Sequence, residues 1–281
     1  MPKWAERKQD GTRRYFEMAQ NECGGVKFTS YSGAYTTSEV TMDGVKYTLY
    51  TLTGSGTLVL KGRGKARVWM CGGGANGRGG TYTSPNRAYP GAGGGGGYTL
   101  EGELASGTYT VQIGSAQGTT SFAHAKGDIL SAAGATSANG ASGGGAADGR
   151  TSGTGKGIST YPFGITSLYA HSAGGGGGTR TYHEWDDEYS GYTSQVTYGG
   201  NGGSNGSNGS STSYSNTTTS KGGSKGGGAG NGGKASFYGS GGGGGRAFYE
   251  SDWMDDTYYG HSVGTGGAGY QGVAYVLVEA A

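Results

Sequence analysis

Two patterns alternate along this chain. The first is short runs in which apolar and polar residues trade places: VKYTLYTL (Val45–Leu52), TLVL (Thr57–Leu60), ARVWM (Ala66–Met70), YTLEGEL (Tyr98–Leu104) and TYTVQIG (Thr108–Gly114). Period-two alternation with β-branched and aromatic residues predicts strands. Gly54-Ser55-Gly56 and Gly62-Arg63-Gly64 read as turns, and Ala105-Ser106-Gly107 reads as the bend of a hairpin joining the last two runs. GVAYVLVEA (Gly272–Ala280) is apolar almost throughout, which predicts a closing strand of buried character. Strands at this spacing predict an all-β fold, with an antiparallel β-sandwich or jelly-roll-like framework.

The second pattern has almost no side chains. CGGGANGRGG, GAGGGGG, GASGGGAADG, SAGGGGG, YGGNGGSNGSNG, KGGSKGGGAGNGGK and GSGGGGG lie between the strand-like runs. Glycine supplies 68 of the 281 residues and proline only 4, with hydrophobics at 32%. Such a composition ordinarily means disorder. A collagen helix needs glycine at every third position with abundant proline, and neither is present. The 22 tyrosines and the strand-like runs argue for order. Near-pure glycine can be ordered as polyproline-II-like helices. With three residues per turn, no internal hydrogen bonds and no Cβ, such helices can bond sideways to one another. The expected fold is therefore a β framework combined with a bundle of polyglycine-II helices and long loops. Ordering costs roughly 1–2 kcal/mol per residue, so many such helices must cooperate.

Residues 1–39 read differently from 40–281, and the domain boundary is drawn there. TRRYFEMAQ (Thr12–Gln20) has the pattern of a short helix, with Asp10 near its start and Gly24-Gly25 after its end. Tyr15, Phe16, Met18 and Ala19 would give it one sticky face, for its own domain or for a larger assembly. Net charge is only +2, yet residues 1–80 hold 12 Lys/Arg against 6 Asp/Glu and the remainder 9 against 13. No aromatic-basic module accompanies the basic end, so nucleic-acid binding is not expected. The start, MPKWAERKQDG, has no apolar h-region, and no apolar run approaches the ~20 residues of a membrane helix. Cys23 and Cys71 read as free thiols in a reducing cytoplasm.

The glycine runs lead into inserts. Gly174–Gly178 precedes an insert containing HEWDDEYSGY, and Gly241–Gly245 precedes RAFYESDWMDDTYYGHS. A third run, Gly93–Gly97, follows the aromatic-bearing TYTSPNRAYPGA (Thr81–Ala92). The first two inserts hold 8 of the chain's 19 carboxylates. Exposed Tyr and Trp are preferred binding anchors, and loops on a rigid scaffold are where binding resides. The candidate binding residues are Tyr182, Trp185, Asp186, Asp187, Tyr189 and Tyr192 in one insert. In the other they are Tyr249, Trp253, Asp255, Asp256, Tyr258 and Tyr259. Rings would stack on the C–H faces of sugars and carboxylates would accept from hydroxyls, although both also suit a protein. The competing reading is a satellite core with solubilising acids.

Catalysis is not expected. The four histidines (His124, His171, His183, His261) lack metal spacing and a nucleophile partner. GGSNG and GGSKG match the nucleophile-elbow pattern by chance in so glycine-rich a chain. Asp186-Asp187-Glu188 and Asp252, Asp255 and Asp256 could offer oxygens to calcium, but no EF-hand or repeat-toxin spacing appears. No metal or cofactor is assigned. SNGSNGSSTSYSNTTTS (Ser204–Ser220) reads as a polar loop, and ISTYPFGITSLYAHS (Ile158–Ser172) is expected to pack, with Pro162 in a turn.

TLTGSGTLVLKGRGKARVWMCGGGANGRGG, GAGGGGGYTLEGELASGTYTVQIGSAQGTTSF, LSAAGATSANGASGGGAADG and GGAGYQGVAYVLVEA occur in that order. In series they resemble the glycine-rich domain of phage and prophage tail-fibre and minor structural proteins, over about Thr51 to Ala281. More distantly, the glycine architecture is similar to tail-fibre-tip adhesins of T-even-like phages. The glycine-rich extracellular region of the anaplastic lymphoma kinase family is also similar, but no kinase or membrane span accompanies it here. The resemblance implies a non-enzymatic tail adhesin, made in the host cytoplasm and carried at the tip of a virion's tail or fibre. It would bind a bacterial cell-surface glycan or outer protein and join other tail or fibre proteins through residues 1–39. Fibre tips of this kind are often trimeric, and no trimer seam is visible in the sequence. The alternatives are a purely structural fibre or baseplate component, or a secreted glycine-rich ice-binding or wall protein.

Overall fold

The computed structural model describes residues 25–82, 88–89, 91–136, 147–148, 151–152, 161–165, 168, 172, 174–175, 180–186, 191–192, 234–245, 247–252 and 257–280. The helix expected at Thr12–Gln20, Cys23 and the polar insert Ser204–Ser220 lie outside these residues. In chain order the strands are β1 (Lys27–Tyr31), β2 (Tyr35–Met42), β3 (Val45–Leu52), β4 (Gly56–Cys71), β5 (Thr81–Tyr82), β6 (Ala88–Tyr89), β7 (Thr99–Gln112) and β8 (Thr120–His124). They continue as β9 (Ile129–Ala132), β10 (Ala147–Asp148), β11 (Thr151–Ser152), β12 (Arg180–Asp186), β13 (Gly191–Tyr192), β14 (Ala247–Asp252), β15 (Thr257–Val263) and β16 (Val273–Glu279). Among the described residues there is no α-helix, and the all-β expectation is met.

Eight strands form the main sheet, in the order β2-β3-β16-β4-β7-β8-β9, with β1 alongside the first half of β4. Every pair in it is antiparallel. The boundary expected at 39/40 falls inside β2, and Val26 just before β1 is already buried in the core. β16 explains its own apolar run. Ala274, Val276 and Val278 enter one core with Leu52, Leu58, Val68, Met70, Val111 and Phe122. The alternate residues Val273, Tyr275 and Leu277 enter a second core on the other face, with Leu49, Trp69 and Phe163. Phe163 belongs to the 3₁₀ turn Pro162–Gly164, so this segment packs as its composition predicts.

Two expectations are corrected here. Gly62-Arg63-Gly64 does not separate two strands: β4 runs through it as one 16-residue strand. Nor do Tyr98–Leu104 and Thr108–Gly114 pair with each other as a hairpin, because β7 is one continuous strand of 14 residues. Both strands instead run beside each other, from Gly56↔Val111 to Cys71↔Thr99, with an irregularity between Leu60 and Lys65. Gly62 and Gly64 take up that extra length at φ +104° and +92°, a backbone region closed to most side chains. The turn chemistry was read correctly, but pairing along the whole ribbon turned it into a bulge. The ribbon doubles over at this bulge, since both of its ends return to the glycine segments. At one end Cys71 leads straight into Gly72; at the other, Gly272 N–H donates to the Gly114 carbonyl, two residues past β7 (2.8 Å).

The glycine segments 72–80, 91–97, 239–245 and 264–272 hold one another by backbone bonds, and the donors recur every third residue. Gly74, Gly77 and Gly80 donate to Tyr270, Gly267 and Gly264 at 2.9 Å each. Gly72, Ala75 and Arg78 donate to Tyr98, Gly95 and Ala92 at 2.8–3.0 Å. Gly91, Gly94 and Gly97 donate to Gly245, Gly242 and Gly239 at 2.7–2.9 Å. In each series the partner number falls as the donor number rises, so these neighbours are antiparallel. Gly242 and Gly245 donate to Ala75 and Arg78 at 2.9 Å, with both numbers rising, so segments 239–245 and 72–80 are parallel.

This arrangement explains why some runs are pure glycine. Gly93–Gly97 and Gly241–Gly245 are buried at every position. A Cβ on Gly94 would land on the Ala75 carbonyl, and one on Gly242 would land on the Gly267 carbonyl, nearer than real Cβ atoms come. At the margin of the group the constraint is lifted at one position in three. Thr265 and Ala268 are exposed, whereas Gly264 and Gly267 are buried and a Cβ on Gly266 or Gly269 would land on the Gly77 or Gly74 carbonyl.

Candidate functional site

The three inserts leave the glycine segments at the same end. Segments 72–80 and 239–245 are parallel, as shown above. Gly175 donates to Gly94 (2.9 Å), and a Cβ on Gly96 would meet the Ser172 carbonyl. The residues around 172–175 therefore run antiparallel to 91–97 and in the same sense as the other two. Thr81, Arg180 and Ala247 each begin a strand a few residues beyond these three parallel stretches.

There the two acidic-aromatic inserts join into one sheet of four strands, in the order β13-β12-β14-β15. β12 lies parallel to β14, with Tyr182 opposite Tyr249, His183 opposite Glu250 and Glu184 opposite Ser251. β14 is antiparallel to β15, which places His261 opposite Tyr249 and Tyr258 opposite Ser251. Tyr259 falls at a register irregularity, and β13 places Tyr192 opposite Trp185. Of the residues singled out from sequence, Tyr182, Trp185, Asp186, Tyr192, Tyr249, Tyr258 and Tyr259 are thus brought into one sheet. Asp187, Tyr189, Trp253, Asp255 and Asp256 lie outside the described residues.

Sequence reasoning placed these inserts side by side in kind but not in space. The similarity of HEWDDEYSGY to SDWMDDTYYGH hinted at equivalent roles; parallel pairing across 67 positions, Arg180 to Ala247, has no local signal. It named the third insert as aromatic-bearing but assigned it no binding residue. β5 and β6 form a two-residue antiparallel ladder, Thr81↔Tyr89 and Tyr82↔Ala88. β6 adjoins β14 and β5 adjoins β15. Glycine runs on both sides of an insert were the available signal.

Elsewhere two ion pairs bridge strands of the main sheet. Lys65 pairs with Glu103 at 2.8 Å and Arg67 with Glu101 at 2.6 Å across β4 and β7. Both pairs are exposed and contribute little. Arg67 also lies 5.2 Å from the Phe163 ring centre. A cleft of about 200 Å³ at the folded corner of the sheet is lined by Lys65, Glu103, Tyr109, Phe122, Asp128 and Ile129, and these residues offer no hydroxyl or thiol nucleophile paired with a base. The buried Cys71 thiol is pushed up to about 12 by desolvation, which favours its protonated form over the nucleophilic thiolate. Among the described residues no group of three or more His, Cys, Asp or Glu is placed to hold a metal ion. No helix among them is long and apolar enough to cross a membrane.

No family model matches the chain, and no curated protein or solved structure matches it either.

Proposed function

We propose that this chain is a phage or prophage tail adhesin, a non-enzymatic receptor-binding protein carried at the tip of a tail or fibre. The observation that carries the reading is the meeting of two separate aromatic and acidic inserts as neighbouring strands at one end of the glycine segments. A purely space-filling part gains nothing from collecting its Tyr, Trp and carboxylates on one terminal sheet, whereas a receptor site needs them together. The sheet supplies the opposite pole. Gly62 approaches residue 25 so closely that an added Cβ would lie 2.7 Å from the Gly25 carbonyl. The chain therefore comes in at the bulge, about 20 Å of extended strand from where Cys71 enters the glycine segments. Residues 1–24 would then join the neighbouring tail or fibre protein at the end away from the inserts.

In this reading the glycine segments are polyglycine-II helices. Their support is the three-residue period of donors and the antiparallel and parallel neighbours bonded sideways. The doubled ribbon with its strands on either side of a shared core is the sandwich-like base on which they stand.

The test is binding of labelled protein to a panel of bacterial cells, with two variants. Tyr182→Ala/Tyr249→Ala removes a pair in register on β12 and β14, and Trp185→Ala/Tyr192→Ala a pair in register on β12 and β13. Saturable binding to some strains, weakened at least ~10-fold by one of the pairs with unchanged Tm, is expected. Saturable binding that survives both pairs would mean the receptor is met elsewhere. Absence of binding to any strain would favour a structural tail component.

A further inference from the structure

The insert Thr81–Ala92 was not among the residues singled out for binding, yet the glycine segments clamp it against the terminal sheet. Gly80, just before β5, donates to Gly264, just after β15 (2.9 Å). Gly91, just after β6, donates to Gly245, shortly before β14 (2.9 Å). These two bonds tie both legs of the small hairpin to both legs of the β14–β15 hairpin, which is why β6 lies beside β14 and β5 beside β15. Tyr89 sits on that hairpin with 43% of its surface exposed.

We infer that this insert is a third wall of the same recognition surface, that Tyr89 is one of its contact residues, and that the ligand is a cell-surface glycan. This rests on the adhesin reading. The choice of ligand comes from the composition of the inserts. Residues 81–92, 180–192 and 246–262 interleave Tyr, Trp and Phe with Asp and Glu, with no Leu, Ile or Val and a single Met, Met254. Protein interfaces favour aromatic residues too, but Asp and Glu are depleted at their centres. Flat rings interleaved with carboxylates suit a sugar instead, offering π-faces to its C–H groups and acceptors to its hydroxyls. The clamp also makes Tyr89 a residue that sets specificity. The hairpin can change length and sequence between Gly80 and Gly91 without altering the bonds that position it.

The experiment compares wild-type protein, Tyr89→Ala and Tyr161→Ala on a strain that the wild type binds. Tyr161 is a comparably exposed tyrosine (41%) beside the 3₁₀ turn on the main sheet. Cells are used untreated, treated with periodate to cleave sugar diols, or treated with protease, and polysaccharide released from the same strain is added as a soluble competitor. The expected result is binding at least ~10-fold weaker for Tyr89→Ala at unchanged Tm and unaltered for Tyr161→Ala. Periodate should abolish wild-type binding, protease should leave it, and the released polysaccharide should compete. Tyr89→Ala binding like wild type would remove the third wall. Loss to protease but not periodate would overturn the glycan. If Tyr182→Ala/Tyr249→Ala loses binding while Tyr89→Ala keeps it, the adhesin reading stands and this inference falls; if the wild type binds no strain, both fall.

Discussion

The main sheet and the glycine segments solve the same packing problem in opposite ways. In the sheet, β16 is surrounded because its side chains fill the space on both faces: Val276 and Met70 are fully buried on one, Val273 and Cys71 on the other. In segments 91–97 and 239–245 the space between chains is filled by the backbone itself. The Gly94 N–H meets the Gly242 carbonyl at 2.7 Å, and no room is left for a methyl group. One region is stabilised mainly by apolar area removed from water. The other depends on satisfied peptide groups and pays the higher conformational entropy of glycine. The lesson is that a single substitution rule cannot hold for this molecule: side chains lost from the sheet and side chains added to the glycine segments are the damaging changes.

The sharpest way to break the comparison is Gly94→Ala. An added methyl must push two backbones apart and break hydrogen bonds beyond its own, so a loss of ~3 kcal/mol or more is expected, read by thermal or urea unfolding. A loss below ~1 kcal/mol would mean the segments are loosely packed. In the sheet the converse change, Leu58→Ala at a fully buried position, should cost ~2–5 kcal/mol. A smaller result would show that the core collapses around the gap.

Alkaline pH separates the regions by chemistry. Tyr31 is raised to about 12 by desolvation, as is the Cys71 thiol, and burial raises Tyr275 as well. All three belong to or border the sheet. Each group loses its proton more readily when unfolded, so the folded state binds more protons above the unfolded pKa. Stability should therefore hold through neutral pH and fall as pH rises from about 9 toward 12. Tm measured from pH 7 to 11 checks this, and a flat profile would contradict it. The smallest effect belongs to Gly25→Ala. Its added Cβ meets nothing within 4 Å, and stability read by urea unfolding should change by no more than ~0.5 kcal/mol.

Much of the sheet was legible beforehand. β3 spans Val45–Leu52 as the alternation predicts, and β16 falls within the run read as a buried strand, which the structure shows to be buried on both faces. Those signals are local, since a strand's faces are written into its residue order. The misreadings came from glycine. Gly62-Arg63-Gly64 carries the signature of a turn, and only pairing with β7 on one side makes it a bulge. Of the site, the residue types and their doubling were visible in HEWDDEYSGY and SDWMDDTYYGH.

By itself, then, the sequence determined the strand runs at Val45–Leu52, Thr57–Leu60, Ala66–Met70 and Gly272–Ala280, that the core of the glycine tracts cannot be made of side chains, and where the aromatic and acidic residues are concentrated. The strands at Lys27–Tyr31, Tyr35–Met42, Thr120–His124 and in the inserts were not read. Tertiary structure alone decided that β12 and β14 lie parallel and adjacent, that the Thr81–Ala92 hairpin stands beside them, and that the inserts share one end. The reason is physical. A glycine run carries no side-chain code for its neighbour, so the partner of Gly94 or Gly80 is chosen by the summed backbone bonds of the whole group, anchored by the strands that feed it.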